Sequence, residues 1–524
     1  MDESQLSPVA KAVIGVYESR EPVNHENKII VNRFVSELAS WYEKLRNAMD
    51  LQEDTVILKN AIVRVLKRRL LLGGTGDKVA EPLLRELVWA RYFPDNSLPQ
   101  SFIPKTAHII NMYLELKHQI LQHHHKTNEK ELNEWMFQLM SCQISLLLAP
   151  NHKRAAMSNF MYHIFKDHIE IPDDQEDTKN VQVYLAVRRA FAKDDLAFLR
   201  YYLFQQIFPE LTEDNIESVA KSFPKGYQEI QHQLNYKLKE KIYVYVKRQT
   251  PVFFILDDVL QKSYEHALET IKDTEKFATL VIDSCGEKYK GIRSKVNNAI
   301  IRSVFFLLLT KVIFAFAVEG TYDKFAYGQI QYIPLIINIV SPPLLMIVVS
   351  LFIKTPGVEN SKRILGKIMT VLHEEHPTLA PKMTLYINPK KTRSVLTTVF
   401  ALLWLGFFVL SFGLMAWILT KLHMNPVSQG VFMFFIAIVS FLSWRINLTA
   451  NAYTVDKGQG LLTPFIDILF LPVIKVGMRL TDGISQINIL IFLFDFVIEA
   501  PFKVIFSFFE QLFAYLHAKR EDIE

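Results

Sequence analysis

Four long stretches in the C-terminal half lack ionised side chains almost entirely, and they constrain the fold more than any other feature of this sequence. They occupy residues 303–318, 325–353, 394–420 and 422–444, and Lys311 is their only Asp, Glu, Lys or Arg residue. With its flanking residues each stretch supplies about 20 residues, enough for a helix to cross ~30 Å of hydrocarbon. The sequence therefore predicts four transmembrane spans, near residues 300–318, 332–353, 395–419 and 427–447.

Basic residues concentrate in alternate connections between these spans. The approach to the first span, residues 288–302, carries five Lys or Arg residues and no acid, and the basic loop 354–394 carries eight against three glutamates. The connection 319–324 has two acids and one lysine, and the turn 421–430 has one lysine. Because basic connections are retained on the cytoplasmic side, this pattern predicts a multi-pass protein of the cell membrane with both termini in the cytoplasm.

The region before the first span alternates charged and apolar residues at helical spacing, which gives each helix one polar and one apolar face. Glycine is scarce, at 18 residues in 524, and this disfavours all-β folds and nucleotide-binding α/β folds. We expect an all-α protein with a soluble cytoplasmic domain at 1–295, which an acidic link near residue 175 could subdivide. The transmembrane domain then occupies residues 296–454.

Residues 455–524 combine apolar segments with interrupting polar residues. The part from 461 to 480 contains two prolines and several charges, which favours an interfacial or re-entrant segment. In the part from 484 to 516 the polar residues share one helical stripe: Asn488, Asp495, Glu499, Lys503, Ser507 and Glu510. This pattern predicts a C-terminal amphipathic helix that lies in the membrane plane, with a fifth crossing as the alternative.

Several polar or helix-breaking residues inside the spans are candidates for a ligand site or a pathway. Lys311 needs a buried partner because an ammonium in hydrocarbon is costly, and Asp495 and Glu499 on the terminal stripe, beside Lys503, are the expected carboxylates. Two adjacent prolines would break the second span, as in helices that line substrate sites of transporters. The residues around this predicted break are Asn338, Ser341, Pro342 and Pro343. Each also has a purely structural interpretation, in helix packing or in an ion pair.

Clusters of basic residues are candidates for contact with anionic lipid headgroups. One cluster ends an amphipathic helix and the other precedes the third span: Arg64, Lys67, Arg68 and Arg69, and Lys390, Lys391 and Arg393. The chain as a whole has 59 basic and 54 acidic residues, a balance too even to predict nucleic-acid binding.

The sequence VLHEEHP offers a weak metal motif at His373 and His376. A zinc-binding HExxH motif places its histidines four residues apart on one helical face, whereas these are three apart and precede Pro377. We expect a solvated helix end rather than a metal site, and we predict no cofactor. No nucleophile elbow, Walker motif or Rossmann fingerprint occurs, so nothing in the sequence indicates an enzyme.

These features predict a membrane-anchored scaffold or regulatory protein that presents residues 1–295 to another protein and contacts the lipid bilayer. The alternative is a small transporter or channel that uses Lys311 and the Pro342–Pro343 break. Replacing Lys311 distinguishes the two, because a pathway residue supports transport and a structural residue supports folding.

Overall fold

The computed structural model describes residues 6–19, 28–29, 54–70, 74–125, 128–329, 332–387, 394–422, 424–455 and 470–480. These residues are nearly all helical, which confirms the all-α prediction. The described residues divide into two compact units, with those between 6 and 270 and between 370 and 387 in the first and those between 271 and 369 and between 394 and 480 in the second. Residues 271–295, which the sequence groups with the soluble region, thus lie in the second unit.

The first unit is a bundle of amphipathic helices. In chain order its helices are α1 (Pro8–Glu18), α2 (Asp54–Leu70), α3 (Gly76–Trp89), α4 (Phe102–His123), α5 (Glu129–Leu148), α6 (His152–Phe165), α7 (Glu176–Val187), α8 (Leu196–Ile207), α9 (Ile216–Leu234) and α10 (Lys239–Ser263), and the short α11 (Ala267–Lys272) crosses the division. A two-residue parallel pair joins β1 (Ile169–Glu170) to β2 (Met383–Thr384).

The apolar faces of α2 to α5 and of α7 to α9 form one continuous core. Trp135 of α5 packs edge-on against Phe223 of α9, with ring centroids 5.9 Å apart, and Phe204 of α8 lies 4.8 Å from Phe208. Polar residues mark the helix starts, since the side chains of Asn128 and Asp195 accept hydrogen bonds from the first free N–H groups of α5 and α8. The apolar residues that recur at helical spacing in the sequence are therefore the residues of the buried helix faces.

The second unit contains the long apolar helices. They are α12 (Thr274–Phe314), which continues through a π-helical turn (Ala315–Gly320) into α13 (Thr321–Tyr327), then α14 (Tyr332–Ser350), α15 (Val358–His373), α16 (Ser394–Lys421), α17 (Pro426–Ala450) and α18 (470–480). Helices α12, α14 and α17 pack on one another around Leu307, Met346 and Phe435.

Three of the described helices are long and apolar enough to cross a membrane: Thr274–Ala326, Thr398–Lys421 and Pro426–Ala450. The run predicted as a second span forms α14, whose apolar part, Leu335–Ser350, is shorter. The outward faces of the first two of these long helices are apolar, since Phe305 and Phe316 in the first and Trp417 in the second are 67%, 61% and 61% exposed. A surface of this kind suits a hydrocarbon surrounding better than water.

Helix α18 crosses α17 at very short range. A Cβ atom added at Gly477 would lie 1.9 Å from the carbonyl oxygen of Ala437, so only glycine permits this approach. On the same helix, the Lys475 ammonium lies 5.1 Å from the ring centroid of Trp404 in α16. Helix α18 therefore contacts α17 near the middle of that helix.

Candidate functional site

A buried polar cluster lies among α12, α14 and α17. The Lys311 ammonium donates to Glu319 Oε1 at 2.8 Å, and both side chains are fully buried. The ammonium also lies 4.8 Å from the ring centroid of Phe435 on α17. Two full charges are thus enclosed by apolar helices, and each charge neutralises the other.

The π-helical turn between Lys311 and Glu319 explains how two residues eight apart in sequence meet. On a regular α-helix such residues differ by ~80° in direction. A π turn accommodates about one extra residue, so Glu319 takes the place that the seventh residue would have, nearly in line with Lys311. Both side chains are long enough to close the remaining two turns of helix.

Asn338 connects this ion pair to the other two helices. Its Nδ2 group donates to Glu319 Oε2 and, at 3.3 Å, to the carbonyl oxygen of Ser428 at the start of α17. The carboxylate of Glu319 therefore accepts from α12 and from α14, and one amide holds α12, α14 and α17 at a common level. Buried hydrogen bonds of this kind fix the register of membrane helices.

A second polar link joins the same end of the unit. Asn425 donates through Nδ2 to Asp323 Oδ1 at 2.8 Å, and its Oδ1 accepts from the Ser428 N–H at 2.7 Å. Asn425 thereby caps the first turn of α17 and attaches it to the continuation of α12. Asp323 is almost fully buried, so this second carboxylate is also shielded from solvent.

Among the described residues, two buried oxygens next to the cluster have no hydrogen-bond partner. They are Asn338 Oδ1 and, one turn along α14, Ser341 Oγ. A buried oxygen without a donor costs on the order of 1–3 kcal/mol of stability. The hydrogen bonding of the cluster is therefore incomplete at these two atoms.

The prolines of the second apolar run do not break its helix, contrary to the expectation from the sequence. Helix α14 continues from Tyr332 to Ser350 with Pro342 and Pro343 inside it. Both prolines are buried, in the part of the helix that faces its neighbours. Membrane helices tolerate proline in such positions because packing and local adjustment compensate for the lost hydrogen bond.

The partner of Lys311 differs from the one that the sequence suggested. Asp495, Glu499 and Lys503 lie outside the described residues, and the ammonium already has a carboxylate in Glu319. The charge pattern assigns Glu319 to the polar connection 319–324, whereas in the structure it lies in the π-helical turn that continues α12. The sequence feature that points to the correct partner is a carboxylate about two helical turns after Lys311, on the same helix.

The N-terminal lipid-headgroup candidates engage acidic or polar side chains of their own unit. Lys67 pairs with Glu134 of α5 at 2.6 Å, and both Arg68 and Arg69 pair with Glu86 of α3. Arg64 donates to the hydroxyl of Tyr92 at 3.4 Å. Their positive charge is thus largely compensated within the protein. The remaining candidates, Lys390, Lys391 and Arg393, lie outside the described residues.

The two histidines of the weak metal motif do not form a ligand set. His373 is the last residue of α15, and His376 follows it with its Nδ1 atom 3.9 Å from Asp167. Among the described residues, no group of three or more His, Cys, Asp or Glu side chains could hold a metal ion.

Comparison with protein-family models, with curated proteins and with solved structures finds no match. The function of this chain therefore has to be argued from its own residues.

Proposed function

We propose that this chain is an integral membrane scaffold or regulatory protein, in which the apolar helices anchor a helical unit that binds another protein. The observation that carries the proposal is the enclosure of Lys311 and Glu319 as a fully buried pair. A pathway residue needs access to water or substrate at some stage, whereas a fully buried pair with a shared amide serves helix assembly.

The proposed topology has four spans with both termini in the cytoplasm. Helices α12, α14, α16 and α17 are the spans, and the basic approach and the basic loop 354–394 remain on the cytoplasmic side. The close contact of α18 with the middle of α17 favours a re-entrant segment over an interfacial one. The first unit then lies in the cytoplasm, and so does the part of α12 that precedes the first span. Each contains one buried cysteine, Cys142 and Cys285, which remains reduced there.

Cysteine labelling in intact cells tests this topology. Both native cysteines are buried and give little background. Two exposed lysines supply a matched pair of sites: Lys324→Cys in the connection after the first span, and Lys382→Cys in the basic loop. We expect a membrane-impermeant maleimide to label the first variant in intact cells and the second only after permeabilisation. The opposite pattern would refute the orientation.

Cross-linking of the full-length protein in membranes tests the scaffold function. We expect a specific protein partner whose cross-links map to lysines of residues 1–270. If cross-links form only between copies of this chain, or only within it, the proposed binding function is wrong.

A transporter or channel remains the second candidate, because Asn338 Oδ1 and Ser341 Oγ are buried oxygens without donors next to a charged cluster. Such oxygens are suited to pass a proton or a hydrated cation. Proteoliposomes loaded with a pH-sensitive dye and challenged with proton or potassium gradients test this candidate. Flux that is lost in Ser341→Ala, with unchanged unfolding temperature, would favour transport over the scaffold.

A further inference from the structure

Helices α12 and α17 pack antiparallel in a constant register. Lys311 lies against Phe435, and Phe314 stacks on Phe434 with ring centroids 5.9 Å apart. Asn338 then links Glu319 to the carbonyl of Ser428. A step of one residue towards the C-terminus of α12 therefore matches a step of about one residue towards the N-terminus of α17.

Extending this register towards the start of α12 brings two arginines to one level. Arg302 lies nine residues before Lys311, and Arg445 lies ten residues after Phe435. Along both helices this is a distance of ~14 Å from the ion pair at ~1.5 Å per residue. Arg302 and Arg445 are both exposed, so they project from the unit at the same depth.

A third cation follows α14 at the same end. Lys354 lies four residues after Ser350, the last residue of that helix, and it is exposed. The chain then reaches Asn360, which donates to the Tyr289 hydroxyl at 2.7 Å and to the Tyr453 carbonyl at 2.8 Å. Because these bonds tie the segment after α14 to the N-terminal half of α12 and to the chain just after α17, Lys354 lies at the end that carries both arginines.

The surroundings mark this level as a boundary between hydrocarbon and water. On the ion-pair side of Arg302, Phe305 and Phe306 are 67% and 52% exposed, as expected for lipid contact. Trp444, next to Arg445, is partly exposed and stacks on Phe441, and tryptophan is enriched at membrane interfaces. In the described part of the chain, none of the three cations forms an ion pair.

We propose that Arg302, Lys354 and Arg445 form a binding site for the phosphate groups of anionic phospholipids, here termed the basic ring. This inference rests on the proposed membrane anchoring. Helices α12 and α17 each carry one of the arginines and Lys354 follows α14, so the ring forms only when the three helices that share the Lys311 cluster are assembled. Bound anionic lipid would in turn favour the assembled form, because it binds that form alone.

The test uses the full-length protein in detergent micelles, with phosphatidylglycerol titrated in and bound lipid counted by native mass spectrometry. The variant carries Arg302→Gln, Lys354→Gln and Arg445→Gln. Since each cation near an anionic surface contributes roughly fivefold in affinity, we expect about 100-fold weaker binding from all three substitutions. Phosphatidylcholine should bind wild type and variant equally.

A matched control removes three exposed lysines that lie outside the apolar stretches of the sequence: Lys237→Gln, Lys241→Gln and Lys276→Gln. We expect its phosphatidylglycerol affinity to stay within twofold of wild type. The conservative variant Arg302→Lys with Arg445→Lys keeps the charge and should bind within about fivefold of wild type, which separates loss of charge from loss of folding.

Three outcomes would overturn the proposal. The triple variant could bind phosphatidylglycerol as wild type does, the control could lose as much affinity as the triple variant, or inorganic phosphate at millimolar concentration could displace the lipid and so identify a soluble anion as the ligand. None of these results affects membrane residence or capture of a protein partner. If the protein fractionates with membranes but its affinity for phosphatidylglycerol does not depend on the three cations, the basic ring is refuted and the scaffold proposal stands.

Discussion

Replacing Lys311 by methionine should be among the most destabilising substitutions in the second unit. The substitution removes the ammonium but leaves the Glu319 carboxylate fully buried, with Asn338 as its remaining donor. Breaking a buried ion pair from one side costs roughly 3–5 kcal/mol, because an uncompensated charge stays in a medium of low polarity. Glu319→Gln should have a cost of the same order, since it strands the ammonium instead.

The double variant Lys311→Met with Glu319→Gln should recover most of this loss. It removes both charges together, and a neutral amide can still accept from Asn338. Replacing a whole buried pair by neutral groups of similar size is often nearly neutral. We therefore expect the double variant to lie within about 1–2 kcal/mol of wild type, with a coupling energy of several kcal/mol between the two positions.

Unfolding in detergent micelles, followed by circular dichroism, measures this cycle. Lys324→Met is the matched control, because Lys324 is an exposed lysine that follows on the same continuous helix, and its loss should change stability by less than about 0.5 kcal/mol. If the two single substitutions add without coupling, or if Lys311→Met is as mild as the control, the buried pair does not hold these helices together.

Three further predictions test other parts of the fold. Gly477→Val should destabilise the contact of α18 with α17 by about 1–3 kcal/mol, because its side chain would overlap the carbonyl of Ala437, and a lower unfolding temperature in detergent micelles should report the loss. Asn360→Ala should cost roughly 2–3 kcal/mol, measured as a lower unfolding temperature, because it removes two donated bonds and the acceptor of the Val455 N–H. Burial raises the pKa of several tyrosines in the first unit above the ordinary value of ~10, so the unfolded state releases these protons first and stability should decline as the pH rises above ~10. Circular dichroism of the full-length protein across this range checks the decline, and the tyrosines concerned are Tyr17, Tyr113, Tyr201 and Tyr202.

The sequence alone was sufficient for features that depend on local pattern. Helical spacing identified the buried faces of the first unit, and the absence of charge identified the long apolar helices. Lys311 and Asn338 could also be singled out, because a polar residue in an apolar run needs a partner. Both belong to the same cluster in the structure. These inferences succeeded because the physical cost involved is set by the residue and its near neighbours.

Features that depend on the angular position of a side chain around its helix, or on partners in other helices, could not be predicted from the sequence. Glu319 pairs with Lys311 only because a π-helical turn realigns the two, and such turns have no dependable sequence signature. The charges of Arg68 and Lys67 are compensated by Glu86 and Glu134, which lie on other helices. A basic cluster on one helix is therefore a poor guide to lipid binding until the facing acids are known.

The polar cluster and the basic ring together suggest how the second unit fixes its depth in a membrane. The cluster joins α12, α14 and α17 at one level, and the regular rise of these helices then carries Arg302 and Arg445 to a common level ~14 Å away. The register of the helices and the depth of the cations are therefore coupled. A shift of one helix along its axis would break the Asn338 hydrogen bonds and would also move the cation of that helix away from the other two. The double variant Lys311→Met with Glu319→Gln offers a test of this link. If it folds but binds phosphatidylglycerol as weakly as the ring variant does, the cluster sets the level of the cations; if its affinity equals that of wild type, apolar packing alone is enough to set that level.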